Sequence, residues 1–306
     1  MTRSAAPPLP DAAASTGMSL MVAAMLVAPG LDVIGKLLVE RLPPAEVAAG
    51  RFIAQTLVLL PLVLVLGQLR RPGPMHALAG ALLGLALLCL NMALREMPVA
   101  NAIAIFFVEP LILTLLGAAL LGERLGWRRL SAVGVGLIGA LVVLRPNVAA
   151  YGWTAAWPLA TALLFAGYML TTRVMTRTGG HLGLQFWTGV FAALTLSAAV
   201  LAGAAVDPGS VVLAPTGREL ALFAAMGLLA AVAHGLILAA ISRVEAGVVA
   251  PFQYLEIFSA TLLGWLVFGD FPDAMTWAGT ALIVAAGVYV FHRERRAARA
   301  GPPPVA

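Results

Sequence analysis

Two glutamates lie inside apolar stretches of the chain, where no water is expected to hydrate a carboxylate. Glu109 follows two phenylalanines and a valine, directly before Pro110, and Glu256 lies in a second apolar segment. An unpaired carboxylate in hydrocarbon costs several kcal/mol, so each acid must be neutralised, paired or hydrated. They are therefore candidates for binding a cation or carrying a proton. The alternative is that each is neutral or hydrogen-bonded to nearby backbone and contributes only to packing.

A second group of charges lies in the first two apolar segments. Asp32 and Lys36 are four residues apart, so they share one face of a helix and can pair, and Arg51 follows in the next segment. The three either neutralise one another, with Arg51 reaching outward to the lipid headgroups, or line a cavity. Asp32 is the deepest of the three, which makes it the best suited to hold a substrate ammonium group.

The remaining polar residues at membrane depth have less specific signals. His234 could relay protons, although a lone histidine is more often structural. Asparagine, glutamine and tyrosine at such depth more often join helices by hydrogen bonds than bind ligands. The candidates of this kind are Asn91, Asn101, Gln253, Tyr168 and Tyr254.

Enzymatic, metal and cofactor signals are weak. No Ser-His-Asp set, Cys-His set or metal-ligand spacing occurs in a suitable context, and the single cysteine, Cys89, excludes a disulfide within the chain. The glycine-rich segment over residues 133–143 follows no predicted strand, so it indicates close helix packing rather than nucleotide binding. We expect no enzymatic activity, no cofactor, no metal and no nucleic-acid partner.

Composition identifies the elements that must position these groups. The chain has 306 residues, of which 61% are hydrophobic and 11% charged, against roughly 25% charged in soluble proteins. The mean hydropathy is +0.97. These values predict an all-α integral membrane protein, and apolar runs of suitable length predict ten transmembrane helices, over residues 18–39, 45–66, 74–95, 98–121, 127–145, 152–173, 182–204, 218–241, 246–268 and 273–291.

The distribution of arginines predicts the orientation of these helices. With the N-terminus inside, the cytoplasmic segments hold thirteen arginines and the outer loops four. Basic residues favour the cytoplasmic side, so both termini are predicted to be cytoplasmic. Glu109 and Glu256 then lie ~16 Å from the membrane surface, near the midplane.

Internal repetition is the next signal. A shift of 147 residues superposes residues 93–145 on 240–292 without a gap, and it places Glu109 on Glu256. Five helices per unit is an odd number, so the second unit must enter the membrane from the opposite side. The sequence therefore predicts two inverted five-helix repeats, over residues 17–146 and 147–292, with a disordered tail at 1–16 and a basic, proline-rich tail at 293–306.

These features resemble a known family. Residues 115–146, separated from Pro110 by four residues, read LLGAALLGERLGWRRLSAVGVGLIGALVVLRP, and the second unit ends in GDFPDAMTWAGTALIVAAGVYV. Both stretches are similar to EamA-type transporters of the drug/metabolite transporter superfamily. The resemblance implies a basket of ten helices around a central cavity in a bacterial inner membrane. It also implies transport of small metabolites such as amino acids, riboflavin, nucleosides or S-adenosylmethionine.

The expected mechanism is alternating access by rocking of one repeat against the other. The predicted hinges are the prolines at membrane depth, Pro29 with Gly30, Pro110 and Pro251. No ATP-binding motif is present, so we expect either exchange with protons or facilitated diffusion. The acids and bases together favour amino acids or related zwitterions, exported from the cell. The alternatives are import of S-adenosylmethionine-like or riboflavin-like cargo and, less favoured, a membrane scaffold without transport.

Overall fold

The described part of the chain is helical throughout. The computed structural model describes residues 11–69, 71–121, 127–175, 181–207, 211, 215–241, 243 and 250–300, and no strand occurs within these ranges. The α-helices are α1 (Asp11–Val27), α2 (Pro29–Val39), α3 (Pro44–Val65), α4 (Pro74–Leu94), α5 (Val99–Phe106), α6 (Glu109–Leu121), α7 (Trp127–Tyr151), α8 (Trp157–Met175), α9 (His181–Val206), α10 (Gly217–Ile241), α11 (Leu255–Phe268) and α12 (Ala274–Ala300). Short 3₁₀ helices at Gly152–Ala156 and Ala250–Tyr254 precede α8 and α11.

Among the described residues, seven helical segments are long and apolar enough to cross a membrane. They are Ser15–Val39, Pro44–Val65, Pro74–Leu94, Val99–Leu120, Ala149–Thr172, Leu182–Val206 and Gly217–Ile237. Large apolar side chains such as Leu57, Leu201 and Leu228 are exposed on their outer faces, as expected where lipid replaces water. The protein is therefore a helical integral membrane protein.

Three shorter apolar helices occupy the other predicted spans. They cover Leu130–Leu144, Phe252–Phe268 and Ala274–Val290. Their positions match the fifth, ninth and tenth predicted segments, but their length alone does not require them to cross. That they do so, giving ten crossings, stays a prediction.

Some predicted boundaries differ from the observed helices. The fifth predicted segment ends at residue 145, before Pro146, yet α7 continues through Pro146 to Tyr151. Residues 11–16, which were expected in a disordered tail, belong to α1, and α12 extends through residues 293–300 of the expected C-terminal tail. Residues 1–10 and 301–306 lie outside the described residues.

Close approach of backbones joins α7 to α12. A Cβ placed on Gly139 would lie 2.9 Å from the carbonyl oxygen of Gly279, and one on Gly279 would lie 2.6 Å from that of Gly139. Neither position has room for a side chain. The glycine-rich segment therefore serves helix packing, as the sequence indicated.

Most helices of the first half of the chain pack against helices of the second half. The helix α4 packs against α8 and α9, whereas α10 packs against α1 and α3. The helix α3 also contacts α9, and α2 contacts α11. Each half of the chain therefore buries its apolar faces largely against the other half. This packing brings together residues that are distant in sequence.

Candidate functional site

The fourth predicted span is broken near its middle. The helix α5 ends at Phe106 and α6 begins at Glu109. Pro110 has no N–H to give to the carbonyl of Phe106, and the Val108 N–H bonds to the Ile105 carbonyl at 3.2 Å in a tighter turn. The break places Glu109 in the first turn of α6, where the helix dipole favours a carboxylate.

The ninth predicted span has a related break. The 3₁₀ helix Ala250–Tyr254 gives way to α11, and Glu256 lies in the first turn of α11. The Ser259 hydroxyl lies 2.6 Å from the Met25 carbonyl of α1 and donates to it. This contact fixes α11 against the first span. Each acid therefore lies in the first turn of a helix that begins at a break within a predicted span.

Asp32, Arg51 and Glu256 form a charge cluster contributed by α2, α3 and α11. Arg51 interacts electrostatically with both acids, and the two acids interact with each other. Asp32 is only 7% exposed. The Arg51 Nε is buried and has no hydrogen-bond partner among the described residues. We use the term charge cluster for these three residues, which combine two acids with one base.

The charge cluster keeps accessible surface deep in the protein. Arg51, His234, Glu256 and Tyr168 lie deep among protein atoms, yet each of these residues keeps partly accessible surface. A deep surface that carries both signs of charge is suited to a small polar ligand.

His234 lies beside the charge cluster and interacts electrostatically with Arg51. Its Nδ1 lies 2.8 Å from the Ala230 carbonyl of the preceding turn. A carbonyl can only accept, so Nδ1 carries the hydrogen and donates. The Nε2 atom of a neutral His234 is then an acceptor.

Lys36 does not belong to the charge cluster. Its Nζ pairs with the Asp270 Oδ2 at 2.8 Å and lies 4.6 Å from the ring centre of Phe268. The partner therefore differs from Asp32, which the four-residue spacing had suggested. Lys36 joins α2 to the segment after α11.

Glu109 lies apart from these cations. It is 9% exposed, and its Oε1 is buried without a hydrogen-bond partner among the described residues. Tyr254 is close enough to interact with it electrostatically. Of the bases at membrane depth, Lys36 pairs with Asp270, and Arg51 interacts with Asp32 and Glu256.

The other candidates take different positions. Asn91 Nδ2 donates to the Pro44 carbonyl at 3.3 Å and is buried, so it joins α4 to the start of α3. Gln253 is exposed on the 3₁₀ helix. Asn101 is partly buried on α5.

The predicted hinges coincide with helix interruptions. Pro29 begins α2 one residue after α1 ends, and Gly30 follows it. Pro110 follows the break between α5 and α6, and Pro251 lies within the second 3₁₀ helix. That these positions bend during function stays a prediction.

Several polar side chains that were not candidates in the sequence analysis are also buried. Gln55 Oε1, Thr56 Oγ1 and Thr188 Oγ1 are buried without partners within the described ranges. Gln55 lies one helical turn beyond Arg51, a spacing that could have shown that the two share a face. No group of three His, Cys, Asp or Glu residues within the described ranges is arranged to hold a metal ion.

The chain belongs to the EamA-like transporter family, whose model matches residues 15–145 and again residues 152–291. The protein is therefore a multi-pass membrane protein of a family of small-molecule transporters.

Similar proteins in other bacteria are named for the transport of different compounds. The chain is 34% identical over 206 residues to a riboflavin transporter of Rhizobium johnstonii. The aligned residues are 67% of this chain and 66% of that protein. It is 28% identical to an S-adenosylmethionine uptake transporter of Rickettsia bellii, over 92% of this chain and 96% of that protein. It is also 28% identical to a pseudopaline exporter of Pseudomonas aeruginosa, over 89% and 94% of the two chains.

A solved structure is similar in fold. One crystal structure of a protein matches with a TM-score of 0.61 at 21% identity, over 94% of this chain and 98% of that chain. At this identity the likeness concerns the fold alone.

Proposed function

We propose that the protein is a secondary transporter of small zwitterionic metabolites, with amino acids as the first cargo class and export as the direction. The observation that carries this proposal is the charge cluster, in which Arg51 and Glu256 lie deep in the protein and keep partly accessible surface. Asp32 and Glu256 can accept hydrogen bonds from an ammonium group, and Arg51 can donate to a carboxylate. A zwitterion satisfies both kinds of group.

The second candidate function is import of S-adenosylmethionine-like cargo. The relatives named for that uptake align with nearly the whole chain, and the cargo is itself a zwitterion with an additional sulfonium charge. A riboflavin-like cargo ranks third, because a neutral ligand would leave the charge cluster without a counterpart. A scaffold without transport is less favoured still, since a scaffold has no need for a cluster of buried charges.

The proposed architecture is ten crossings in two inverted repeats, with the boundaries given above. Its support is the reciprocity of the packing. The third proposed crossing, α4, contacts the sixth and seventh, α8 and α9. The eighth, α10, contacts the first and second, α1 and α3. Exchanging the two five-helix repeats turns one of these sets of contacts into the other. Rocking of one repeat against the other, with bending at the interruptions near Pro29, Pro110 and Pro251, would expose the charge cluster alternately to each side.

The proposed location is a bacterial inner membrane with both termini cytoplasmic. The arginine distribution and the named bacterial relatives support it. Protons are the proposed coupling partner if transport is active, and membrane lipid surrounds the exposed apolar faces.

Counterflow in proteoliposomes tests the proposed function. Vesicles loaded with millimolar unlabelled cargo should accumulate labelled methionine, with S-adenosylmethionine and riboflavin as separate arms. A pH gradient separates proton exchange from facilitated diffusion. Asp32→Asn should slow exchange by about tenfold, since a charge-assisted hydrogen bond is lost, whereas the exposed Glu40→Gln should leave it unchanged. Exchange of S-adenosylmethionine alone would favour the second candidate, and exchange of no cargo would contradict the proposal.

A further inference from the structure

Six arginines lie at one end of the helix pair formed by α7 and α12. Two of them, Arg128 and Arg129, belong to the first turn of α7, and four belong to the last turns of α12, namely Arg293, Arg295, Arg296 and Arg299. Glu294 is the single acid among residues 127–130 and 291–300. No other predicted cytoplasmic segment holds more than two arginines, so the orientation of the chain alone does not account for this concentration. We call the six residues the arginine cluster.

The two helices run in opposite directions, and this brings the arginines together. A Cβ placed on Gly136 would lie 3.0 Å from the Cβ of Ala286, and one placed on Gly139 would lie 3.1 Å from the Cγ1 of Ile283. Residue numbers therefore rise along α7 as they fall along α12. Continuing this register places the start of α7 beside the last turns of α12.

The same register sets two of the arginines on facing sides of the helix pair. Arg129 is one turn before the buried Val133 of α7, and Arg293 is one turn after the buried Val290 of α12. Both positions thus continue the faces along which the two helices pack. Two guanidinium groups at such positions repel each other unless an anion lies between them. Glu294 can balance only one of the six charges.

The opposite face of α12 is exposed along its last turns. Val288, Tyr289 and His292 are exposed, and positions 295, 296 and 299 continue this face because they follow His292 by three, four and seven residues. The apolar part of α12 ends at Val290, so residues 291–300 extend ~15 Å farther at ~1.5 Å per residue. A headgroup layer is about 5 to 7 Å thick. These turns therefore pass through the layer that contains the lipid phosphates.

The exposed face of α7 is apolar next to the arginine cluster. Trp127 is 73% exposed, and Leu130, Ile138 and Leu141 are exposed on the following turns of the same face. Tryptophan is enriched where a helix leaves the hydrocarbon, and exposed aliphatic side chains contact acyl chains. Along α7, a basic and aromatic region is thus followed by an apolar surface. This is the order in which a phospholipid presents its headgroup and its chains.

We propose that the arginine cluster and the exposed face of α7 bind an anionic phospholipid. Arginine donates two parallel hydrogen bonds to phosphate oxygens, and groups of about four to eight basic residues beside a membrane helix attract anionic headgroups. The acyl chains lie along Leu130, Ile138 and Leu141. The phosphate separates Arg129 from Arg293, so the bound lipid also holds the ends of α7 and α12 together. This site is separate from the charge cluster and goes beyond the proposed function.

Lipid binding to the purified protein tests the site. The protein in a neutral detergent is titrated with fluorescent phosphatidylglycerol and, in a parallel arm, with phosphatidylcholine that carries the same label. Phosphatidylglycerol should bind about tenfold more tightly or better, and salt should weaken its binding by screening the phosphate. Arg295→Gln, Arg296→Gln and Arg299→Gln together should weaken phosphatidylglycerol binding by about tenfold or more, because half of the cluster's charge is lost. Phosphatidylcholine binding should not change.

Two further variants sharpen the result. Arg71→Gln, Arg173→Gln and Arg243→Gln together are the matched control, because they remove the same charge from the same predicted side of the membrane at other helices. This variant should bind phosphatidylglycerol within about twofold of the unaltered protein. Arg128→Gln with Arg129→Gln removes charge from α7 and should also weaken binding, so the test does not depend on α12 alone. Melting temperatures close to that of the unaltered protein show that the variants are folded.

Three outcomes would overturn the lipid site. Equal weakening by the control and the cluster variants would indicate attraction to net charge alone. Equal binding of the two lipids would show that the arginines do not recognise the headgroup charge. Inorganic phosphate should not displace the labelled lipid, because it lacks acyl chains, and displacement would assign the cluster to a soluble anion instead. Methionine counterflow in phosphatidylcholine vesicles tests the proposed function separately, since the charge cluster is not part of this site.

Discussion

The rings of Phe107 and Tyr254 contact each other with centres 5.4 Å apart and planes inclined by 40°. The two residues are 147 positions apart in the chain, the same offset that relates Glu109 to Glu256. Phe107 lies two residues before α6, which begins at Glu109, and Tyr254 directly precedes α11, which carries Glu256. The contact therefore lies where an axis relating the two proposed repeats would pass, and it joins the two helix breaks.

We expect Gly287→Ala to disturb this contact. A Cβ on Gly287 would collide with Tyr254 Oη and lie 2.6 Å from its ring carbon Cζ, so the Tyr254 ring must move away from α12. Exchange should fall severalfold. Tyr254→Phe in the same background removes the first collision but not the second, so it should restore exchange only in part. Unchanged exchange in Gly287→Ala would show that the ring position is not required.

Glu109→Gln should impair transport more than folding. The Oε1 of Glu109 is buried without a donor among the described residues, so removing its charge relieves a desolvation cost rather than breaking a bond. We expect an equal or higher melting temperature and at least a tenfold loss of exchange per folded molecule. Glu40→Gln is the control, because Glu40 is exposed. A large fall in melting temperature with normal turnover would assign Glu109 to packing instead.

The positions of the helices could be predicted well from the sequence. Runs of apolar residues and their proline and glycine boundaries located α3, α4, α9 and α10 to within two residues, because a helix that spans must fill a membrane thickness. The start of α1 and the end of α12 differ from the predicted bounds by seven and nine residues. The end of α7 was less accurate. A proline signals interruption in most contexts, yet α7, which packs against α12, continues through Pro146 to Tyr151. Within a membrane bundle a helix can continue past a proline because neighbouring groups compensate for the lost backbone bond.

The partners of the charged groups could be predicted only in part. Spacing along one helix suggested that Lys36 faces Asp32, whereas its observed partner Asp270 is 234 positions away. Such a contact depends on how α2 packs against α11, which no local pattern specifies. The contact between Phe107 and Tyr254 was missed for the same reason, because it joins residues from two separate segments.

Asp273 should stabilise the start of α12 in a pH-dependent manner. Its Oδ1 accepts the Thr276 N–H at 2.7 Å, and this bond lowers the pKa of the Asp273 carboxyl below its ordinary 3.8. A lowered pKa in the folded state means that the stabilisation is complete above the unfolded-state pKa and is lost as the pH falls through the folded-state value.

Melting temperatures of two variants test this cap. Asp273→Ala should cost about 1 kcal/mol at neutral pH, and Asp273→Ser should retain most of the stability because serine also caps helices. The difference between the unaltered protein and Asp273→Ala should shrink below about pH 4. A difference that does not vary with pH would exclude the ionised carboxyl as the cap.

Cysteine labelling tests the proposed orientation. In a Cys89→Ser background, Met75→Cys and Ala274→Cys place a thiol at exposed positions in the first turns of α4 and α12. In intact cells an impermeant maleimide should label Ala274→Cys and not Met75→Cys, because α4 is proposed to start in the cytoplasm and α12 outside. Both should react after the cells are opened. The reverse pattern in intact cells would invert the topology.

The Lys36–Asp270 ion pair should open during each transport cycle. It joins α2 to the segment after α11 at the proposed outer end, at an N–O distance of 2.8 Å, and the Phe268 ring covers the ammonium group. Alternating access requires these two parts to separate when the charge cluster faces outward.

A reversible cross-link tests this motion. Lys36→Cys with Asp270→Cys, in the Cys89→Ser background, should form a disulfide that stops exchange, and a reductant should restore it. Each single cysteine variant is the control for loss of the ion pair alone, which should alter exchange by no more than about fivefold because partly exposed pairs contribute about 1 kcal/mol or less. Full exchange by the cross-linked protein would show that this contact stays closed throughout transport, and that access to the charge cluster opens elsewhere.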